Sequence, residues 1–119
     1  KLIKLLDNAY SPYYKFHVAA IVVTNDNHEF VGVNVENANG TSVCAERNAI
    51  ASAVAAGYKK GDFKELYIML GTPCFACRQV ILEFMEMDKK IICIDKTGNT
   101  KIYTVSDLCP YPFSEDDLK

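Results

Sequence analysis

Two short segments carry the residue types that could do chemistry: Cys44-Ala45-Glu46-Arg47 and, thirty residues on, Pro73-Cys74-Phe75-Ala76-Cys77-Arg78. Cys74 and Cys77 are three apart, so on a helix their sulfurs share one face and can reach one ion, and Cys44 would complete a set of three protein ligands. Three protein ligands leave the fourth position of a tetrahedral zinc ion to water, the arrangement of catalytic rather than structural sites. Zinc lowers the pKa of such a water from about 15.7 to about 7. Three thiolates overcompensate a divalent cation; Arg47, one turn from Cys44, and the helix N-termini would draw charge off the sulfurs. Glu46 is too close to Cys44 to be a second ligand with good geometry, yet near enough to hold the water, accept its proton and pass it on.

Taken alone, Cys74-x-x-Cys77 reads as a thioredoxin-like redox pair or half of a structural zinc knuckle. The upstream Cys44-x-Glu46 element shifts the reading to catalysis, because the joint pattern resembles the three-cysteine variant of the zinc-deaminase signature. Cys93 lies in an apolar stretch and Cys109 near a proline-rich end, and both read as small buried hydrophobes. His17 falls within an apolar run, as a core or site-lining histidine, and His28 beside a turn. A fourth ligand from Cys93 would close the site and end the catalytic reading.

The elements that must position these residues follow from apolar periodicity and its punctuation. Leu2, Ile3, Leu5, Leu6 and Ala9 have helical spacing over residues 2–9, stopping before Ser11-Pro12. Phe16 to Val23 is an almost continuous apolar run, Asn25-Asp26-Asn27 marks a turn, and Glu29 to Val35 is rich in β-branched and aromatic residues. That predicts a hairpin whose first strand is buried on both faces. After a loop over 37–42, a helix runs from Cys44 through Ala56, closed by Gly57. Glu65 to Leu70 is a third strand, broken by Gly71-Thr72-Pro73. A second helix extends from Cys74 to about Met87, with Val80, Ile81, Phe84 and Met85 facing the core. Lys90 to Ile94 and Lys101 to Val105 are the last strands; the residues between them are too few for a parallel crossover, so as neighbours they run antiparallel. The fold class is therefore α/β, a layered sandwich with a five-stranded mixed sheet and helices on both faces. Both cysteine groups fall in the first turn of a helix, where free N–H groups and the positive dipole end stabilise thiolates.

Composition bounds the rest. The 119 residues, half of them apolar, support one core, hence a single domain over 1–119. A net charge of -2 with scattered lysines gives no footprint for a phosphate backbone, so no nucleic-acid partner is expected. No apolar run approaches the roughly 18 residues of a membrane span. Lys1–Asp7 has no signal-peptide pattern, and five cysteines, an odd number, fit a reduced compartment; a cytoplasmic location is expected.

Four blocks, in order, resemble the small homotetrameric cytidine deaminases over nearly the whole chain. They are Tyr10-Ser11-Pro12-Tyr13-Tyr14-Lys15-Phe16, Asn34-Val35-Glu36-Asn37-Ala38, Val43-Cys44-Ala45-Glu46-Arg47-Asn48-Ala49-Ile50 and Pro73-Cys74-Phe75-Ala76-Cys77-Arg78-Gln79-Val80. The resemblance implies one zinc per subunit on Cys44, Cys74 and Cys77, with Glu46 as proton carrier and Arg47 and Gln79 supporting the ligands. It implies that Phe16 packs on the pyrimidine, that Asn34 and Glu36 bond the ribose 3′-hydroxyl, and that the Ala45 N–H and Glu46 address the O2/N3 edge. Asn34 and Glu36 are two apart at a strand end, hence on one face, which suits a sugar hydroxyl. Where the family has a tyrosine and one more residue before the first cysteine, this chain has the shorter loop Asn39-Gly40-Thr41-Ser42-Val43; Val18-Ala19-Ala20-Ile21 stands for the usual Val-Gly-Ala-Ala. Contacts across subunits fall on Ala38 and on Phe113, which resembles the family's C-terminal phenylalanine.

The activity so implied is hydrolytic deamination of cytidine and deoxycytidine, in pyrimidine salvage, by a homotetramer, with a dimer as the alternative. Two other substrates compete: a cytosine-containing antibiotic or modified nucleoside, favoured by the altered loop, and a polynucleotide. The short 95–100 connection opposes the latter, since editing relatives carry a helix there with parallel strands. A zinc-stabilised interaction domain without activity is the rival of another class, and it gives Glu46 nothing to do.

Overall fold

The computed structural model describes residues 2–119. Helix α1 (Leu2–Leu6) is followed by strands β1 (Ala19–Thr24) and β2 (Glu29–Val33), helix α2 (Ala45–Ala55), strand β3 (Phe63–Met69), helix α3 (Phe75–Phe84), strands β4 (Lys90–Ile94) and β5 (Thr100–Thr104), helix α4 (Val105–Leu108) and a 3-10 turn, Glu115–Leu118. The five strands form one sheet in the order β2-β1-β3-β4-β5. Strand β1 lies between β2 and β3, antiparallel to both, with Ala19 opposite Val33 on one side and Met69 on the other. Every residue of β1 is buried, as its unbroken apolar run requires of a strand covered on two faces. Helix α3 makes the crossover that lets β3 and β4 run parallel, and a tight turn at 95–99 returns β5 antiparallel to β4.

Alternation along the strands divides the core in two. Ala20, Val22, Leu66, Ile68 and Ile91 meet Ala49, Ile50 and Ala53 of α2 and Ile81 of α3; Val105 and Leu108 of α4 close the same cluster. On the opposite face Ala19, Ile21, Val23 and Met69 are covered by Leu2, with Leu5 and Leu6 packed alongside. The α/β sandwich with helices on both faces thus stands. No helix among the described residues is long and apolar enough to cross a membrane.

Several boundaries differ from expectation, each for a local reason. Helix α1 ends at Leu6 rather than residue 9, because the amides of Asp7, Asn8 and Ala9 bond carbonyls three residues back and tighten the last turn out of α geometry. Strand β1 begins at Ala19, not Phe16. Residues 12–14 form a turn, Lys15 lies in the left-handed region at φ 54°, and Phe16 and His17 are exposed, so His17 is neither a core nor a site-lining histidine. Strand β2 stops at Val33, and Val35 forms isolated bridges with Tyr10 and Val43. Helix α3 ends at Phe84 because Met85 turns extended while staying buried; Met87 is exposed.

Gly32 decides how closely α2 approaches the sheet. A Cβ there would stand 2.4 Å from both the Ala45 carbonyl oxygen and the Ala49 nitrogen. Only a residue without a side chain lets the first turns of α2 lie this close to β2. Asn48 reinforces the contact by donating from Nδ2 to the Val33 carbonyl at 3.1 Å.

Candidate active site

The three sulfurs meet where α2 and α3 begin side by side. Cys44 and Cys74 are the N-cap residues of α2 and α3, both with extended backbone, and Cys77 lies in the first turn of α3. The Cys74 sulfur is 3.4 Å from that of Cys77 and 3.9 Å from that of Cys44, and all three lie within 4.8 Å of one another. Tetrahedral zinc with Zn–S bonds of about 2.3 Å asks for sulfur separations of about 3.8 Å, so the set fits one such ion. Cys93 and Cys109 stand outside this cluster, and no fourth ligand joins it among the described residues. Leu70, in the left-handed region at φ 70°, turns the chain out of β3 towards Cys74 while its amide still bonds the Ile94 carbonyl at 2.9 Å.

Electrostatics at this corner favour a cation. Burial pushes the Cys77 thiol far up, and the charge of Glu46 and contacts with the other two thiols add to the shift. Burial also raises Cys74, but the Cys77 and Ala76 amides and the neighbouring thiols outweigh it and hold Cys74 below its ordinary value. Glu46 is 4 % exposed, and burial pushes its carboxyl up despite bonds from its own amide and Cys77 and the charge of Arg47. Burial favours the protonated forms of Cys77 and Glu46, and a cation bound by the sulfurs would release the thiol protons, since thiolates are the ligands. Arg47 supplies positive charge here: its Nη2 donates to the Cys44 sulfur at 3.5 Å and to the Ser42 carbonyl at 3.2 Å.

In front of the sulfurs lies a cavity of about 300 Å³, at the lower end of the range for small-molecule sites. Cys44, Cys74, Ala45 and Glu46 line one end, and Tyr14, Phe16, Asn34 and Glu36 the other. The structure therefore brings together every metal, proton-carrying and substrate residue expected from the sequence; all but the fully buried Cys77 line the cavity, and its sulfur is 3.4 Å from that of Cys74. Phe16 is 55 % exposed and forms an open wall rather than core.

Asn34 and Glu36 both turn to the 11–18 segment. Asn34 accepts from the Val18 amide at 2.9 Å and donates to the Phe16 carbonyl at 2.7 Å. Glu36, 6 % exposed, accepts from the Ser11 hydroxyl and from the amides of Tyr13 and Tyr14. Burial raises its carboxyl, but these bonds and the nearby His17 bring it below the ordinary value.

Other expected residues lie elsewhere. Gln79 does not support the sulfurs: its side-chain amide donates to the Phe113 carbonyl at 2.8 Å and ties the tail to α3. Phe113 is itself exposed, and Ala38 sits at the tip of a loop closed by bonds among Asn37, Asn39 and Thr41. Neither lines the cavity described above. Sequence reading passed over Gly32, Asn48 and Ser11. A glycine inside a strand is a signal of close backbone approach that was available, whereas Ser11 and Asn48 lie within the matching blocks but their bonding partners, Glu36, Phe16 and Val33, are set by the fold.

Residues 1–94 match the family model of the cytidine and deoxycytidylate deaminase zinc-binding region. The cytidine deaminase of Mycoplasma genitalium is 38 % identical over 109 residues, covering 87 % of this chain and 83 % of its own. That of Sporosarcina psychrophila is 38 % identical over 121 residues, covering 97 % and 88 %. The crystal structure of cytidine deaminase from Burkholderia pseudomallei superposes with a TM-score of 0.90 at 37 % identity, covering 94 % of this chain and 93 % of that one. With fold, sulfur cluster and sequence in agreement along nearly the whole length, the chain belongs to the cytidine and deoxycytidylate deaminase family.

Proposed function

We propose that this protein hydrolyses free cytidine and deoxycytidine to uridine and deoxyuridine with release of ammonia. The observation that carries the reading is a buried carboxyl, Glu46, set beside three convergent sulfurs and lining a cavity of about 300 Å³. Cys44, Cys74 and Cys77 would hold zinc, which when bound supplies the Lewis acidity that ionises a water near neutral pH. Glu46 takes the proton of the attacking water and delivers it to N3 as the new C–O bond forms at C4. It then moves the remaining proton to the exocyclic nitrogen, so that the C4–N4 bond breaks with loss of ammonia and the carbonyl forms. Burial, by raising its carboxyl, suits Glu46 to hold that proton between the two transfers. The Ala45 amide and Glu46 face the O2/N3 edge, Phe16 packs on the ring, and Asn34 and Glu36 fix the sugar end. Arg47 draws charge from the Cys44 sulfur.

A free nucleoside rather than a polynucleotide is favoured by the short 95–99 turn between antiparallel β4 and β5 and by the net charge of -2. We further read the chain as one domain with one zinc, supported by the single continuous sheet and the one sulfur cluster among the described residues. Its five free cysteines support a reducing, cytoplasmic setting and a role in pyrimidine salvage. A homotetramer is supported by the aromatic side chains left in solvent, Tyr14, Phe75, Tyr111 and Phe113. Incubation of zinc-loaded protein with cytidine, following loss of amine and release of ammonia, tests the activity. No conversion of any cytosine nucleoside, or full activity in Glu46→Gln, overturns it.

A further inference from the structure

We propose that Ser11 is a positioning residue for the nucleoside cavity: its hydroxyl joins the buried Glu36 to the backbone of Phe16 and so fixes the cavity's aromatic wall. This deepens the function proposed above and rests on it for the identity of the ligand. The Ser11 hydroxyl donates to Glu36 Oε2 at 2.6 Å and accepts from the Phe16 amide at 3.1 Å, while Ser11 itself is 6 % exposed. One oxygen thus uses both its donor and an acceptor site on partners whose own side chains line the cavity.

The surrounding loop explains why so much depends on it. Ser11-Pro12-Tyr13-Tyr14-Lys15 makes a single helical turn closed by the Lys15 amide on the Ser11 carbonyl at 2.9 Å. Pro12 lacks an N–H, and the next two amides, Tyr13 and Tyr14, go to Glu36 Oε1 at 2.9 and 3.2 Å. Glu36 therefore caps the turn from a distant part of the chain, as an acidic N-cap would locally. Lys15 ends the turn in the left-handed region without glycine's freedom, a conformation that persists only where surrounding bonds hold it. Tyr14 and Phe16, carried by this turn, line the cavity. Removing the Ser11 hydroxyl leaves one Glu36 oxygen without its donor and frees the Phe16 amide. The wall formed by Tyr14 and Phe16 then loosens while the helices that carry the sulfurs keep their own bonds.

The effect falls on binding and spares the chemical step. Ser11→Ala is expected to raise KM for cytidine about tenfold and to lower the thermal midpoint by a few degrees, with kcat and zinc content close to those of the parent. Ser11→Cys restores the volume but only a weak donor, so its KM stays raised if hydrogen bonding is the role and returns to the parent value if packing is. Amide hydrogen exchange on the unaltered protein gives a readout independent of any variant: Tyr13, Tyr14 and Phe16 are protected although they lie outside regular elements. A KM within twofold of the parent in Ser11→Ala, a fall confined to kcat, full rescue by Ser11→Cys, or free exchange of those amides overturns the proposal. If the parent converts no cytosine nucleoside, the functional reading fails separately, and the exchange of the three amides alone decides whether the clamp exists.

Discussion

The two ends of the cavity are built by different means. At the sulfur end the reacting side chains hang on the first turns of α2 and α3, and both helices are seated on a fully buried strand core. Backbone geometry places Cys44, Cys74 and Cys77, and burial pushes the Glu46 carboxyl up. At the other end Tyr14, Phe16, Asn34 and Glu36 lie outside regular elements, and side chains bonding to backbone do the work of secondary structure. The chemistry is thereby carried by parts whose positions depend on the whole fold. The wall away from the sulfurs is carried by a few side-chain bonds between segments distant in sequence. Perturbing the first end acts on metal content and kcat; perturbing the second acts on KM.

Removing the metal is the strongest way to press on this contrast. Chelation is expected to abolish activity and to lower the thermal midpoint, both restored by added zinc, because the ion binds only the folded arrangement of sulfurs. An unchanged midpoint after complete zinc loss would mean the sulfur end holds together without it. Glu46→Gln comes next, with kcat reduced about 1,000-fold while zinc content, measured by metal analysis, stays at the parent level. Gly32→Ala tests the joint between the two ends. Its new Cβ meets backbone atoms of α2 that cannot swing away, so denaturant titration should register a loss of about 1–3 kcal/mol, together with a lower kcat. Asn34→Ala sits at the other extreme: it releases Phe16 and Val18, and steady-state kinetics should give a KM raised about fivefold to tenfold with kcat kept within about threefold. A kcat loss in Asn34→Ala as large as that in Gly32→Ala would erase the distinction between the ends.

The same division marks what could be read in advance. Apolar runs and their breaks located all five strands and the antiparallel return of β5, because burial on two faces and a short turn are properties of local sequence. The start of β1 moved because side chains from elsewhere in the chain take its backbone, whereas α1 and α3 end early through bonds and backbone turns of their own. Phe16 and His17 look like the start of a strand, yet Asn34 and Ser11 claim the amides and carbonyl around them. Gln79 sits in a recognised block, but its direction on α3 sends it to the tail.

By itself, then, the sequence determined the donor set and its chemistry: three thiols and a carboxylic acid at spacings that helix geometry turns towards one point. Tertiary structure alone decided how close α2 comes to the sheet, through the missing side chain of Gly32, and which backbone groups Ser11, Asn34 and Glu36 would hold. The physical reason is range. Periodicity and capping act within a few residues and leave a pattern in the chain. A hydrogen bond between residues 11 and 36, or a contact between 32 and 49, exists only after the strands have paired.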